Sequence, residues 1–348
     1  MPHRPHVIHI GPSLHSLGAL VQLLKYYSDN IPEFTFRPST TTDGRFSTSA
    51  LVKLFARLPF LKIRGFNILH IHATSARSFR DAVKINRWGR FLGFKTIFHC
   101  HGGNFHAYAE IESRKNIIKQ LNRFNALALP TERWQEYYCR AYQMPQTYVV
   151  HNMVEDIAVQ RNRSKRRSNE PVRLLYMGSL ERNKGIFDLL SAISVLKDKC
   201  PNMELNICTD ADRSEVFEVI THYGIEDYVR FKGYVTGDDK DRILRLNDIM
   251  IIPSYMEGMP MQLLEAAVYA MPCIASRVGA IDDFIDNKVN GLLITPGRVD
   301  EITEAISYYL DNPTEIVSHG TEARARITQF FPENVCEELN ALHSKVLE

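Results

Sequence analysis

The chain has 348 residues, of which 45% are hydrophobic and 24% are charged, and its formal net charge is +2. These fractions are typical of folded globular proteins, and the length suits two domains of ordinary size, so the composition excludes a disordered or fibrous protein. Because no apolar run reaches about 18 residues and the N-terminus lacks the apolar core of a signal peptide, we expect no membrane span and no secretion.

The small net charge hides an asymmetry between the two halves of the chain. Residues 1–170 carry 25 Lys and Arg against 11 Asp and Glu, whereas residues 171–348 carry 17 against 29. A basic half attracts polyanions, so a membrane surface, a nucleic acid or a phosphorylated acceptor is a candidate partner of the first half. The 6 cysteines show no C-x-x-C spacing, which favours reduced thiols in a cytosolic protein.

The first predicted elements are a strand, a loop and a helix. Residues 7–11 form a short apolar strand, and apolar residues recur at helical spacing from Ala19 to Tyr27. The loop between them lacks the G-x-G-x-x-G fingerprint of dinucleotide-binding proteins, since Pro12 occupies the tight turn. The pattern therefore predicts an α/β domain that does not bind NAD in the usual way.

Residues 47–64 predict a basic amphipathic helix. Its apolar residues are Ala50, Leu51, Leu54, Phe55, Leu58, Phe60 and Leu61, and its cations are Lys53, Arg57, Lys62 and Arg64. Such a helix can lie in an anionic bilayer interface with its apolar face down and its cations on lipid headgroups. The alternative is a helix that packs on the protein core and exposes a solvated basic face.

Histidines alternate along the next two predicted strands, at residues 67–72 and 94–101. The histidines concerned are His70, His72, His99 and His101. Alternation places each pair on one face, at the carboxyl ends of strands, where open α/β sheets bind ligands. With His106 they could suggest zinc, but no carboxylate or thiolate spacing completes a site, so we do not predict a metal there.

A polar, basic segment at residues 156–170 predicts a linker, and the α/β pattern restarts after it. Residues 172–177 form a strand, and a basic loop containing Lys184 leads into an apolar-periodic helix. Further strands are predicted at residues 203–208, 228–235 and 271–276. Together these patterns predict a second α/β domain.

The most informative stretch runs from Ile251 to Ala267 and predicts a strand, a glycine loop and a helix that begins at Pro260. The backbone N–H groups of Gly258 and Met259 then precede a helix N-terminus, which is a favourable site for a phosphate. Glu257 and Glu265 flank this position, roughly 8 Å apart along the helix axis. Carboxylates accept hydrogen bonds from vicinal hydroxyls, so a ligand with a sugar at each end of a diphosphate would fit. The alternative is a loop Glu and a solvated helix Glu.

The spacing Glu-x7-Glu inside Pro253-Ser-x-x-Glu257-Gly-x-Pro260 resembles the retaining nucleotide-sugar glycosyltransferases of family 4. Further matches are His101-Gly-Gly, Lys184-Gly185, Gly233-Tyr-Val235 and Asn290-Gly291. The resemblance implies the GT-B fold, with two Rossmann-like α/β domains that face a cleft and a C-terminal helix that crosses back to the first domain. The domains implied are an acceptor domain at 1–155 with a basic membrane-facing surface, a linker at 156–170, a donor domain at 171–330 and the returning helix at 331–348.

The resemblance also implies roles for individual residues. His101, Lys184 and Glu257 would be catalytic, and Arg77 or Arg80 would hold an acceptor phosphate. The donor would be bound by Gly18, Arg182, Lys184, Val235, Glu257, Gly258, Met259, Pro260 and Glu265. The family often has an Arg directly after the first glycine of the Lys184 loop, where this chain has Ser179, so Arg182 would substitute for it. A structural histidine at 101 and solvated arginines at 77, 80 and 182 are the alternatives.

The function implied by the resemblance is transfer of a sugar, with retention, from a nucleotide-diphosphate sugar to a hydroxyl of a lipid-linked glycan in bacterial capsule or lipopolysaccharide biosynthesis. A UDP-sugar is favoured over a GDP-sugar. Neither a metal nor a cofactor is expected, so we do not interpret the D-x-D at residues 210–212 as a metal-binding motif. The expected location is the cytoplasm, peripherally at the inner membrane face. An epimerase or phosphorylase of the same fold is an alternative, and a nucleic-acid-binding protein is a second one, although nucleic acid is not the expected partner.

Overall fold

A computed structural model describes residues 4–157, 170–200 and 202–348, without the side chain of Asn104. The chain forms two compact units. The first contains the described residues up to Glu155 together with Gln329–Glu348, and the second contains the described residues of Asp156–Thr328. Most of the predicted linker at 156–170 lies outside the described residues.

The first unit alternates strands and helices. Its elements are β1 (Val7–Gly11), α1 (Ala19–Asn30), β2 (Phe36–Pro38), α2 (Thr48–Ile63), β3 (Ile68–Ala73), α3 (Ala76–Phe91), β4 (Lys95–Cys100), α4 (Gly103–Ile111), α5 (Arg114–Leu121), β5 (Ala126–Leu129), α6 (Glu132–Tyr142), β6 (Thr147–Val149) and, at the end of the chain, α14 (Pro332–Leu347). Within the described part of this unit, six parallel strands lie in the order β2-β1-β3-β4-β5-β6.

Helices on the first sheet bury its central strands completely. Every residue of β3 is buried, as a parallel strand covered on both faces requires. The rings of Phe79, Phe98 and Phe105 pack at centroid distances of 4.8–5.3 Å and fill the core. The returning helix α14 belongs to this unit, where Glu338 accepts a hydrogen bond from the backbone of His151.

Most of the predicted apolar face of α2 packs on the protein core and not on a membrane, so this part of the prediction is wrong. Leu54, Leu58 and Leu61 are buried in the core of the first unit, and Phe55 packs against the same core. The ammonium of Lys62 donates to the carbonyl of Gly93 at 2.7 Å. Helical periodicity identifies an apolar face but not its partner, and here the partner is the protein, because the sheet must be covered.

The second unit repeats the pattern. Its elements are β7 (Val172–Met177), α7 (Ile186–Leu196), β8 (Met203–Cys208), α8 (Ser214–Tyr223), β9 (Val229–Phe231), α9 (Gly237–Leu246), β10 (Ile249–Ile252), α10 (Met261–Val268), β11 (Cys273–Ser276), α11 (Ile281–Phe284), β12 (Gly291–Ile294), α12 (Val299–Asp311) and α13 (Pro313–Arg326). In the described residues of this unit the parallel strand order is β12-β11-β10-β7-β8-β9.

Each sheet has one point where the strand order reverses. In the second unit the chain leaves β7 towards β9 and then returns to the other side at β10. The corresponding point of the first unit lies between β1 and β3. Open α/β sheets bind ligands outside the carboxyl ends of the strands at such a switch point, because the two following loops diverge there.

The predicted fold class is confirmed, since each unit is a parallel α/β sheet of the Rossmann-like type. All six cysteines are free thiols. Among the helices of the described residues, none combines the length and the apolar character that crossing a membrane requires.

Candidate functional site

The loops that follow β7 and β10 are joined at the switch point of the second unit. The backbone N–H of Tyr255 donates to the carbonyl of Asn183 at 2.9 Å. Gly185 has a positive φ of 70°, and a Cβ added there would lie 2.0 Å from the carbonyl oxygen of Pro253. Only glycine permits this approach, so the Lys-Gly motif lets the two loops come together.

A third loop fixes the backbone around Glu257. The N–H of Ala280 donates to the carbonyl of Gly258 at 2.9 Å. Gly279 has φ 63°, and a Cβ on it would lie 2.2 Å from the carbonyl oxygen of Glu257. The loop that carries the first predicted carboxylate is therefore held from both sides by glycines that permit close backbone contact.

The structure brings Lys184 and Glu257 together. The ammonium of Lys184 lies 2.7 Å from Oε1 of Glu257, and their side chains are 28% and 13% exposed. The nearby Tyr176 hydroxyl donates to the carbonyl of Ser179 at 2.6 Å. Burial, and after it the Glu257 carboxylate, raises the pKa of Tyr176 far above its usual value. The pair thus has a neutral, largely apolar neighbour.

Glu265 forms a second ion pair, which the sequence did not predict. Its Oε1 lies 2.5 Å from the ammonium of Lys240, with side-chain exposures of 6% and 14%. Glu265 is buried, so the alternative of a solvated helix Glu is wrong. Lys240 lies on α9 within the acidic run Asp238 to Asp241, where it resembles a surface charge, and no motif marks it.

The start of α10 differs by one residue from the prediction. Pro260 is the N-cap residue and the helix begins at Met261, so the proline precedes the first turn. Gly258 and Met259 lie in the loop just before this helix and are buried. The predicted phosphate position therefore lies between the Lys184–Glu257 pair and the first turn of α10.

Two other predicted donor residues of this unit, Arg182 and Val235, are not members of the two ion pairs. Arg182 is exposed, forms an ion pair with Glu215 and lies over the ring of Phe187 at 4.7 Å. Val235 is half-buried in the turn between β9 and α9, five residues before Lys240. Arg182 lies in the same short turn as Lys184, but its guanidinium pairs with Glu215, and its role in place of the family arginine stays a prediction.

In the D-x-D at 210–212, Asp212 forms hydrogen bonds with the first residue of α8. Oδ1 of Asp212 accepts hydrogen bonds from the backbone N–H and the hydroxyl of Ser214, at 3.0 and 2.7 Å. These bonds lower the pKa of Asp212. Asp212 therefore supports the first turn of α8, which gives this carboxylate a local structural role.

The remaining predicted residues belong to the first unit. Gly18 is the N-cap of α1, with φ 125° and no atom within 4 Å of an added Cβ. Arg77 lies over the ring of Phe46 at 4.7 Å, and Arg80 is exposed. Gly18 and Arg77 follow β1 and β3, the two strands at the switch point of this unit.

His101 is buried, and both of its ring nitrogens have partners. Nε2 lies 2.8 Å from Nδ1 of His72, and Nδ1 lies 3.3 Å from Oδ1 of Asn152. Burial lowers the pKa of His101 to about 4, against the effect of the Asn152 hydrogen bond. The ring is neutral at physiological pH, and its catalytic role stays a prediction.

The second unit thus has one ammonium–carboxylate pair in the loops of its switch point and a second pair that holds Glu265 on α10. In addition, Oδ1 of Asn183 is buried and has no hydrogen-bond partner within the described residues. Carboxylates accept from hydroxyls, ammonium groups neutralise anions, and the orphaned amide oxygen accepts one further donor. The arrangement suits a ligand that carries both hydroxyl groups and a negative charge.

Comparisons with known proteins show which family the second unit resembles. Residues 158–329 match the family described as "Glycosyl transferases group 1". Glycogen synthase of Mycobacterium tuberculosis is 26% identical over 169 residues, which cover 48% of this chain and 41% of that protein. The amylovoran biosynthesis glycosyltransferase AmsK of Erwinia amylovora is 24% identical over 256 residues, 71% of this chain and 62% of that one. The chain thus spans 41% and 62% of these two curated relatives, less than two thirds of either.

A solved structure shows the same fold over the whole chain. Anabaena Alr3699/HepE, in complex with UDP and glucose, superimposes with a TM-score of 0.78 at 16% identity and covers 97% of this chain and 99% of that one. An identity this low bears on the fold alone. The family match covers residues 158–329, where both ion pairs lie, and it shows that this part of the chain is similar to the group 1 glycosyl transferases.

Proposed function

We propose that the protein transfers a sugar from a nucleotide-diphosphate sugar to a hydroxyl group of a lipid-linked glycan, with retention at the anomeric carbon. The observation that carries this proposal is the Lys184–Glu257 pair at 2.7 Å beside the start of α10. An ammonium next to a helix start stabilises a departing diphosphate as negative charge develops on it. Glu257 would bind the donor sugar, and the buried Glu265 would bind the ribose.

The proposed reaction uses no metal at the diphosphate. Lys184 and the backbone N–H groups of the Glu257–Pro260 loop supply the charge stabilisation that Mg²⁺ provides in other enzymes. Because no residue is assigned as a covalent nucleophile, the acceptor hydroxyl attacks on the face that the diphosphate leaves, and the leaving phosphate takes its proton. His101 lies in the first unit and is proposed to contact the donor sugar.

The choice of substrates is supported by two of the similar proteins. AmsK is named for amylovoran biosynthesis, which favours a polysaccharide precursor as acceptor. HepE is described with UDP and glucose, which favours a UDP-sugar over a GDP-sugar as donor. The proposed location is the cytoplasmic face of the membrane, where a lipid-linked acceptor would be reached.

Release of nucleotide diphosphate should depend on the acceptor. A transferase breaks the bond between sugar and diphosphate when an acceptor hydroxyl is present, so we expect UDP to appear only when glycan acceptor is added. The measurement is coupled detection of UDP, with and without acceptor. An epimerase would convert the donor without acceptor, and a phosphorylase would require inorganic phosphate, so either result would refute the proposal.

The proposed membrane contact uses a face of α2 that shares only Phe60 with the apolar pattern predicted from the sequence. Val52, Phe60 and Ile63, which we call the α2 stripe, are 58%, 57% and 84% exposed. Their spacing places them on one side of the helix. Phe91, at the end of the neighbouring α3, is 78% exposed. An apolar surface of this kind can enter a bilayer interface without disturbing the core.

Basic residues flank the α2 stripe. Lys53, Arg57 and Arg64 are exposed, and the guanidinium of Arg64 lies over the ring of Phe60 at 4.8 Å. Each basic residue near an anionic surface contributes about 1 kcal/mol to binding. Since Lys62 is directed to the carbonyl of Gly93, three of the four cations predicted for this helix are available.

Replacing Phe60 and Ile63 by Ser should weaken binding to anionic vesicles by at least tenfold. Burying an aliphatic or aromatic side chain contributes about 1.5 kcal/mol or more, which corresponds to roughly tenfold in affinity. The measurement is co-sedimentation with vesicles of mixed neutral and anionic lipid. Binding should also fall in 1 M salt, where the Debye length is about 3 Å.

The matched control is Ile111→Ser, because Ile111 belongs to the same unit and is 88% exposed. We expect this variant to bind vesicles like the wild type. If the wild type ignores anionic vesicles at low salt, or if the control loses as much binding as the stripe variant, the α2 stripe is an ordinary exposed surface.

A further inference from the structure

Six buried histidines meet inside the first unit, and one of them, His101, is the residue proposed to contact the donor sugar. They are His9 on β1, His70 and His72 on β3, His99 on β4, His101 directly after β4, and His343 on α14. The sheet register sets His9 opposite His70 and His72 opposite His99. Because strand residues two apart share a face, these five sheet imidazoles lie on one face, and α14 brings His343 to them.

A chain of hydrogen bonds connects Asn152, His101, His72 and His9, and neutral rings along it all donate in the same direction. Oδ1 of Asn152 accepts from Nδ1 of His101, so Nε2 of His101 accepts from Nδ1 of His72, at 3.3 and 2.8 Å. Nε2 of His72 then accepts from Nδ1 of His9 at 3.0 Å. A neutral imidazole has one protonated nitrogen, so Nε2 of His9 carries a lone pair.

Three of the rings are close enough to share one ion. The nitrogen atoms that His9, His70 and His343 offer lie within 4.8 Å of one another. Nδ1 of His70 and Nε2 of His343 are 2.9 Å apart. Two nitrogens on a tetrahedral Zn²⁺, each at about 2.05 Å, are roughly 3.3 Å apart. The rings therefore need to move by no more than about 1.5 Å to reach a common ion.

The protonation of these rings also suits a metal. Burial lowers the pKa of His9 and His70 well below the usual value, and it lowers the pKa of His343 to about 4. Imidazole binds metals in its neutral form, so no proton has to be displaced at neutral pH beyond the one shared between His70 and His343.

A cavity of about 550 Å³ opens onto two of the three ligands. His9 and His343 line it, together with Glu33 and Cys336. The cavity provides an entry path and space for a solvent molecule as the remaining ligand, as in zinc sites with three histidines. The second cluster, His70, His72 and His99, shares His70, but neither His72 nor His99 lines this cavity.

We propose that His9, His70 and His343 bind one transition-metal ion of the Zn²⁺ class, with its open position facing this cavity. The ligands come from two strands and from a helix 273 residues further along the chain. The bound ion would tie α14 to the sheet and stabilise the first unit. The spacing of histidines in the sequence did not predict this site, because the third ligand, His343, lies on the last helix.

The test is metal binding by the untagged full-length chain after incubation with Zn²⁺ and dialysis. We expect about one Zn²⁺ per chain, and a melting temperature that falls when a chelator removes it. His9→Ala and His343→Ala should each lose the ion. His106→Ala is the matched control, since His106 is a buried histidine of the same unit that stacks on Trp134 outside the cluster. It should retain the ion even if it is less stable.

A spectroscopic measurement on the wild type tests the site even if the variants fail to fold. Co²⁺ in place of Zn²⁺ should give the visible absorption of a low-coordinate nitrogen site and should be displaced by Zn²⁺. A wild type that retains no ion overturns the proposal. So does retention of the ion by folded His343→Ala together with its loss from His99→Ala, which would place it in the cluster of His70, His72 and His99.

Discussion

Glu265→Gln should weaken binding of both UDP and the UDP-sugar, whereas Glu257→Gln should weaken binding of the UDP-sugar much more than that of UDP. The reason is that Glu265 is proposed to bind the ribose, which both ligands contain, and Glu257 the donor sugar, which only one contains. A charge-assisted hydrogen bond contributes about 1.5–3 kcal/mol, so each loss should be roughly 10- to 150-fold. Isothermal titration calorimetry with the two ligands measures both effects.

Because both carboxylates are paired with lysines, the stability of each variant must be measured as well as its ligand binding. Glu265 is 5% exposed and paired with Lys240, so its replacement leaves a largely buried ammonium without its partner and lowers stability as well. Thermal unfolding of each variant separates this effect from ligand binding. Glu322→Gln, an exposed position on α13, is the control and should change neither quantity. Unchanged affinity for both ligands in both variants would contradict the assignment.

The central motif shows what local sequence determines. The apolar run, the glycine and the proline from Ile251 to Pro260 predict a strand, a loop and a helix, and the structure has β10 and α10 there. These elements can be predicted from the sequence because each depends on residues that are neighbours in the chain. The motif also places Glu257 and Glu265 on opposite sides of the helix start, which needs no knowledge of the rest of the chain.

The parts that could not be predicted depend on contacts between distant residues. Lys240 meets Glu265 from α9, and His343 reaches His70 from the last helix. The periodicity of α2 identifies the apolar face that enters the core, but it does not show that the partner of this face is the core of the first unit. Arg182 lies close to Lys184 in sequence, but its guanidinium pairs with Glu215 on α8. Spacing along the chain carries no information about such partners.

The glycines of the site are both local turn signals and points of contact between distant loops. Gly185 and Gly279 appear in the sequence as turn residues, but their importance lies in the backbone atoms that they approach. A Cβ at either position would lie 2.0–2.2 Å from a carbonyl oxygen of the β10 loop. The Lys184 loop can therefore reach Glu257 only because two separate glycines allow three loops to pack together.

Lys184→Ala should lower the rate of sugar transfer by more than tenfold in the presence of saturating donor. Its ammonium is proposed to neutralise the diphosphate as the bond to the sugar breaks, so the loss should be larger in kcat than in donor affinity. The substitution also leaves Glu257, whose side chain is 13% exposed, without its partner. A Lys184→Met, Glu257→Gln double variant removes both charges and shows how much of the loss comes from that unpaired carboxylate.

The control for this prediction is Lys199→Ala, which removes an ammonium from an exposed position of the same unit and should leave kcat unchanged. The assays contain no added Mg²⁺ or Mn²⁺ and include a chelator, at a temperature well below the melting temperature of the metal-free protein. Under these conditions the wild type should retain its rate, because Lys184 and the backbone N–H groups of the loop before α10 supply the charge that the leaving diphosphate needs. A wild type that is inactive with the chelator and recovers with Mg²⁺ would show that a divalent ion supplies this charge, and Lys184 would then be at most an auxiliary contact.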